Sequence, residues 1–310
     1  MDLVAPIRSF MGAPVVAPGD VEGGFVFLGV PYGVPYHMGD VGAPCAGAPD
    51  ALRDFTHEQA YATDIDHHDF DLGSSLWPDD VPRLVDLGNV RADPYDLDVA
   101  PRRTTAVMRA VLDAGAFPLV VGGDDSIPIP VFAAFEGRGP VNVLHVDAHL
   151  DFREEVGGVT HGYSSVIRRI REMPHTGRIV QVGLRGVGSA RAREVADALA
   201  AGNVLIRADD VHEHGPELVL EQLPDDAPWW VTIDLDGLDP SIAPGVGWPL
   251  PGGLTFPQIS TIVRSLAGDG RMVGVDLVEH APAFDVRQLT LLTMTRLLLN
   301  VIGFASRAKR

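Results

Sequence analysis

Strand-length apolar runs alternate with amphipathic segments along most of the 310 residues. That alternation predicts an α/β fold whose parallel sheet is covered on both faces by helices. Acidic clusters close two of the apolar runs, so polar groups arrive at strand tips, where open α/β sheets build their sites. No Ser/Gly linker, charge block or low-complexity tract divides the chain, so one domain over 1–310 is expected, with an N-terminal extension at 1–23 and a core at 24–304.

Eight runs read as strands: GFVFLGV (24–30), RLVDLGNV (83–90), FPLVVGG (117–123), VNVLHVD (141–147), RIVQVGL (178–184), VLI (204–206), WWVTIDLD (229–236) and RMVGVDLV (271–278). Helices fall between them. Val107, Met108, Val111 and Leu112 recur at helical spacing, and Gly115 stops that segment. Ser189 can cap a helix whose Val195 and Leu199 face the core before Gly202. Thr255 and Gln258 form a capping box ahead of Ile259, Ile262, Val263 and Leu266. From Leu289 to Phe304 the chain is apolar nearly all round, but Thr290, Thr293, Thr295, Arg296 and Asn300 interrupt it and it is short for a bilayer, so it reads as a buried closing helix. The first hundred residues are less regular. DIDHHDFD (64–71) sets His67 and His68 beside acids, and with no strand around it this reads as a solvated loop in preference to a metal site.

Composition narrows the function classes. Forty-two acidic residues against 24 basic ones give a formal net charge of −18. This argues against nucleic acid or anionic membrane as partner and favours a cationic one. The single cysteine, Cys45, excludes an internal disulfide framework and a Cys-rich zinc site; without an accompanying Cys-His pattern it reads as a small buried or loop thiol before it reads as a nucleophile. The start, MDLVAPIRSFMGAP, has neither a basic n-region nor a continuous apolar core, so no signal peptide is read there and a cytoplasmic protein is expected.

The chemistry sits in DAHLD (147–151) and DLDGLDP (234–240), which follow VNVLHV and WWVTI. In extended chain, residues two apart point the same way, so Asp147, His149 and Asp151 share one side of their strand end and Asp234 with Asp236 share one side of theirs. Carboxylates crowded like this repel unless a cation sits between them. A lone Asp-x-Asp is ordinarily a turn or a cap, but two on two strand ends, one with a histidine between the acids, point to a metal site. Its oxygen-rich ligands suit manganese better than zinc.

The order GGDDS (122–126), DAHLD (147–151), His161-Gly162, TIDLDGLDP (232–240), APGVGWPLPGGLT (243–255) and DLVEHAP (276–282) resembles the ureohydrolase family of arginase and agmatinase, from about Gly24 onward. The resemblance implies a three-layer α/β/α fold with an eight-stranded, mostly parallel sheet, arginase/deacetylase-like. It also implies two Mn²⁺ per subunit, hydrolysis of a guanidino group to urea and an amine, and a homotrimer or homohexamer. Residue by residue it implies that Asp147 and Asp234 bridge the metals, that His149 and Asp236 complete one, and that Asp151 helps complete the other. Paired cations would supply hydroxide by lowering the pKa of a bridging water, and Asp151 can carry the proton to the departing amine. His161, in the loop GGVTHGYSS, matches the family's histidine near the substrate, and Glu279 the glutamate that holds the guanidinium by paired hydrogen bonds. The spacing at His161 is that of the agmatinase branch.

Two departures stand out. Asp125 occupies the position after GGD where the family has a metal-ligating His, giving five carboxylates from Asp125, Asp147, Asp151, Asp234 and Asp236 around two ions. Ligation by Asp125 is the favoured reading; weak single-metal loading, a preference for Ni²⁺, and a catalytically impaired subunit of a mixed oligomer are the others. In the second departure, GVPYGVPYHMGDVGAPCAGAPDALR replaces the family's Arg-containing loop, placing Tyr36, His37 and Met38 near the substrate tail, and Trp248 adds bulk at the pocket. The expected activity is a metal-dependent amidinohydrolase acting on an agmatine-like amine or a guanidino acid, with formiminoglutamase-like hydrolysis as the rival.

Overall fold

All eight strand candidates form strands, and they lie side by side in one sheet. The computed structural model describes residues 2–34, 36, 44–58, 68–77, 83–93, 96–187, 190–225 and 227–308. The sheet strands are β1 (Leu3–Val4), β2 (Phe25–Val30), β3 (Leu84–Val90), β4 (Phe117–Gly122), β5 (Val141–Val146), β6 (Thr176–Leu184), β7 (Val204–Arg207), β8 (Trp229–Asp234) and β9 (Met272–Val278). They are ordered β1-β3-β2-β4-β9-β8-β5-β6-β7. Every pairing is parallel except that of β1 with β3. The ninth, antiparallel strand comes from the first 23 residues, which also bury Phe10 and Met11, with Phe10 stacked on Phe27 at 4.4 Å. That segment is part of the core.

Unbroken apolar runs are what a parallel sheet covered on both faces demands, and β2, β4, β5 and β8 are buried at every position. Alternate side chains feed two cores. Phe27, Leu119 and Val146 pack with α1 (Ala48–Glu58), α8 (Phe256–Gly268) and α9 (Leu289–Ala305) on one face. Leu28, Val120 and Val143 pack with α2 (Val99–Asp113), α3 (Pro128–Phe132) and α4 (Val166–Arg171) on the other. This gives the three α/β/α layers; α6 (Ala208–His214) and α7 (Glu217–Leu220) are short helices between β7 and β8. A buried ion pair pins α1 to β3: Arg53 Nε and Nη2 each donate to Asp86 at 2.9 Å. Deleting one partner of such a pair costs about 3–5 kcal/mol, because the other charge is left buried and alone.

The predicted capping box forms, with Gln258 Oε1 accepting the Thr255 amide at 2.9 Å. The closing helix α9 is buried, and its polar residues find partners: Asn300 donates to Ser260 at 3.0 Å and Thr295 to the Leu291 carbonyl at 2.7 Å. One expectation fails. In α5 (Ala192–Ala200) Leu199 is 55 % exposed, and Glu194 and Ala198 form the buried face. The helix begins after Arg191, whose amide the Glu194 carboxylate accepts, so the registration differs from one started at Ser189, which lies outside the described residues. In the His-rich stretch, His67 is likewise outside the described residues, and His68 is exposed in a two-residue strand paired with Ser74–Ser75.

Candidate metal centre

The four central neighbours β4, β9, β8 and β5 end beneath one cavity of about 470 Å³. In sequence β4 is followed by β5, yet β9 and β8 lie between them, so the cavity sits at a switch point of the strand order. Two glycines allow the strand tips to converge. A Cβ on Gly123 would lie 1.8 Å from the Tyr32 carbonyl oxygen, and one on Gly237 would lie 2.7 Å from the Asp147 amide nitrogen. Larger residues would push the Asp125 segment off β2 and the Asp234–Gly237 turn off β5.

Local hydrogen bonds aim the carboxylates. Asp147 Oδ1 accepts the His149 amide at 2.6 Å, and Asp234 Oδ1 accepts the Asp236 amide at 2.8 Å, each an Asx turn closing its strand tip. His149 Nδ1 then lies 3.1 Å from Asp236 Oδ2 and 3.3 Å from Asp147 Oδ1. Two sets of potential ligand atoms result, each within 4.8 Å of one another: Asp125, His145, Asp147 and Asp151, and Asp147, His149 and Asp236. Asp147 belongs to both. Asp234 lines the cavity beside them.

Both oxygens of Asp125 and Oδ2 of Asp147 are buried without a hydrogen-bond partner. A buried acceptor left unmet costs about 1–3 kcal/mol, and more when charged. Three of them meeting at one spot fit a cation. Backbone strain adds to this: Asp151 at φ 45° and Glu279 at φ 65° hold left-handed conformations that cost non-glycine residues about 1–3 kcal/mol and cluster at functional sites.

The electrostatics describe carboxylates awaiting positive charge. Burial, then the neighbouring Asp147 carboxylate, pushes Asp125 and Asp151 far above the usual range. Burial and Asp236 do the same to Asp234. Asp236 rises to about 6, through burial and Asp147, and Glu279 to about 8, through burial and Asp124. Burial would raise Asp147 too, but the imidazoles of His145 and His149 beside it outweigh that and hold the carboxyl below the usual range. Burial likewise opposes the charge on His149, yet Asp147 and Asp236 lift it to about 11. A proton on His149 thus occupies the role a cation would take.

Glu279 lines the cavity, its Oε1 accepting the Asp125 amide at 2.9 Å and its Oε2 lying 3.4 Å from Cys45 Sγ. Burial, then Glu279, drives the Cys45 thiol well above its ordinary range, so it stays a neutral donor and not a nucleophile. Trp248, 78 % exposed, stands on the cavity wall. His161 is not brought to the cavity: it is exposed, and its Nδ1 lies 2.8 Å from Thr160 Oγ1. Its neighbour Tyr163 lines the wall instead, its ring 4.5 Å from that of Tyr36, whose hydroxyl accepts the Ser164 amide at 2.8 Å. His37 and Met38 lie outside the described residues. His145 was not among the expected site residues, although the alternation that groups 147, 149 and 151 extends back to it. Asp124 and Tyr163 had no expected role either, and Asp124 is the first of the two cavity acids after β4.

The sequence profile of the arginase family matches residues 24–303. The chain belongs to the arginase family. Guanidinopropionase of Pseudomonas aeruginosa is 32% identical over 306 residues, covering 96% of this chain and 91% of that protein. The mitochondrial agmatinase of Gallus gallus is 31% identical over 276 residues, 87% of this chain and 78% of that one. The structure of proclavaminate amidinohydrolase from Streptomyces clavuligerus superposes with a TM-score of 0.83 at 27% identity, covering 98% and 99% of the two chains. This arginase-family member is a hydrolase of C–N bonds in linear amidines, and its family depends on a binuclear metal centre. The ligand sets that share Asp147 fit such a centre.

Proposed function

We propose that the chain hydrolyses a linear guanidino compound with a cationic tail, of the agmatine type, to urea and an amine. One observation carries the choice of tail: the described cavity wall contains Asp124, Asp125, Asp151, Asp234, Asp236 and Glu279, and no Lys or Arg. The segment HMGDVGA (37–43), just before the wall residue Pro44, contributes no Lys or Arg in sequence either. Even with two divalent ions held by Asp125, Asp147, Asp151, Asp234 and Asp236, Asp124 and Glu279 leave this wall acidic, so a guanidino acid would find no basic side chain for its carboxylate, whereas an ammonium is drawn in.

Manganese is the metal this oxygen-rich donor set favours. Asp125, Asp147 and Asp151 would hold one ion and Asp147, His149 and Asp236 the other, with Asp234 a further carboxylate on the same wall. When bound, the pair supplies Lewis-acid chemistry that makes water nucleophilic near neutral pH. The chain's own residues do the rest. Glu279 receives two parallel N–H groups of the guanidinium and presents its carbon to the ligand cluster. Asp151 takes a proton from the attacking water and delivers it to the departing amine as the C–N bond breaks. Tyr36 and Tyr163 wall off one side, and Trp248 meets the tail at the rim, where an aromatic face attracts an ammonium.

The test is product identification across a panel of agmatine, guanidinobutyrate, guanidinopropionate and formiminoglutamate with added Mn²⁺ or Ni²⁺. Urea from agmatine at the highest kcat/KM supports the proposal. Formamide from formiminoglutamate, or a preference for a guanidino acid, would overturn it. No turnover of any compound by a metal-loaded chain would favour an impaired subunit.

A further inference from the structure

His145 Nε2 is buried 3.2 Å from Asp147 Oδ2 and 3.7 Å from Asp125 Oδ2, with no hydrogen bond closed to either. It therefore stands where a nitrogen ligand is missing once position 125 is aspartate. Two roles compete for it, a lone-pair ligand to the metal or an N–H donor to the carboxylates. The far side of the ring decides between them.

His145 Nδ1 lies 3.2 Å from Gln181 Nε2. That amide is oriented by two other partners, since its Nε2 donates to the Leu150 carbonyl at 2.8 Å and its Oε1 accepts from Asn203 Nδ2 at 3.1 Å. A backbone carbonyl only accepts, so the NH₂ end must face Leu150, and the same NH₂ faces the imidazole. Reversing the amide would set Gln181 Oε1 against the Leu150 oxygen, two acceptors at hydrogen-bond distance in a site where His145 and Gln181 are both fully buried. A protonated Nδ1 would point its hydrogen at another donor. Nδ1 must therefore keep its lone pair, and the neutral ring carries its proton on Nε2.

We infer that His145 is a positioning residue and not a metal ligand: the Leu150–Gln181–Asn203 network fixes the tautomer, so that its Nε2–H, and not a lone pair, faces Asp147 Oδ2 and Asp125 Oδ2. His145 then sets a donor hydrogen beside Asp147 and the added negative charge of Asp125, the place that outer-shell partners of metal ligands take. The inference rests on the metal-dependent reading above.

The experiment is nitrogen-15 NMR of the full chain labelled at histidine, with the His145 signals assigned by their loss in His145→Asn. A protonated Nε2 and a lone-pair Nδ1, in the metal-free protein and after loading with diamagnetic Zn²⁺, is the expected result. A protonated Nδ1 with bare Nε2, or loss of the Nε2 proton on loading, would overturn the assignment. Calorimetry with Mn²⁺ gives a second readout. His145→Ala should still bind two ions, one of them roughly 10–100-fold more weakly; loss of one ion outright, or unchanged affinity, counts against the role. Gln181→Glu should move a proton onto Nδ1, and an unaltered tautomer there would also overturn it. Should the wild-type chain bind no Mn²⁺, the metal-dependent reading fails, while the tautomer of the metal-free ring still tests His145 by itself.

Discussion

Glu279 Oε1 accepts the Asp125 amide at 2.9 Å, so one carboxylate joins the tip of β9 to the tip of β4. The proposed guanidinium anchor is thereby a structural tether for the segment that carries Asp125. Glu279→Gln keeps an acceptor for that amide and removes the charge. The variant should fold and retain metal while kcat/KM for agmatine falls roughly 10–100-fold, the value of hydrogen bonds to a charged group. A urea assay beside a metal count checks this. Metal loss in Glu279→Gln would show that the charge serves the ligands and not the substrate.

Asp147 is the only residue shared by the two ligand sets among the described residues. Asp147→Ala should therefore lose both ions and all urea release, as read by elemental analysis after dialysis. Asp125→His removes one negative charge and offers an imidazole lone pair, and it should hold metal against a chelator at least as well as the parent chain. Retention indifferent to this substitution would remove Asp125 from the ligands.

Much of this was legible in the sequence because it depends on periodicity. The eight strand runs and the capping box at Thr255 are local patterns, and alternation alone grouped Asp147, His149 and Asp151. What was missed depends on contact at a distance. Leu199 has the right spacing for a core position, yet α5 turns Glu194 and Ala198 inward. The two residues of β1 are too short a run to read as a strand, and they become one only by pairing with β3. His161 sits in the expected loop, but the loop turns it outward and puts Tyr163 on the wall. Nothing in spacing reports the Gln181 amide that fixes His145, because the two residues meet only through neighbouring strands.

The pH dependence of the metal-free protein follows from the raised carboxyls. Asp236 at about 6 and Glu279 at about 8 lie above their ordinary values of 3.8 and 4.5, so from about pH 4 to pH 8 the native state binds more protons than the unfolded chain. Stability must fall as pH rises through that window. His149, raised from 6.5 to about 11, extends the same sign to higher pH. Metal binding expels these protons, so it strengthens as pH rises. Thermal melts should show Tm of chelator-treated protein dropping between pH 5 and pH 8, and the rise in Tm on adding Mn²⁺ should be larger at pH 8 than at pH 6. A metal-induced rise that shrank with pH would contradict the assignment of these groups to the site.

Trp248 offers the sharpest test of tail recognition, because it stands on the cavity wall at 78 % exposure and so can be replaced with little effect on the core. If a wall that holds carboxylates and no Lys or Arg is what excludes guanidino acids, a single cation at the rim should admit them. Trp248→Arg supplies one, and a screened surface charge pair at about 4 Å is worth about 1 kcal/mol in water and more near protein. The expected result is a rise of roughly 5–10-fold in kcat/KM for guanidinobutyrate with a matching fall for agmatine, since each 1.4 kcal/mol is about tenfold. Trp248→Phe keeps the aromatic face and should leave the ratio near its starting value. If both variants lowered the two substrates equally, Trp248 would be shaping the cavity without reading the charge of the tail.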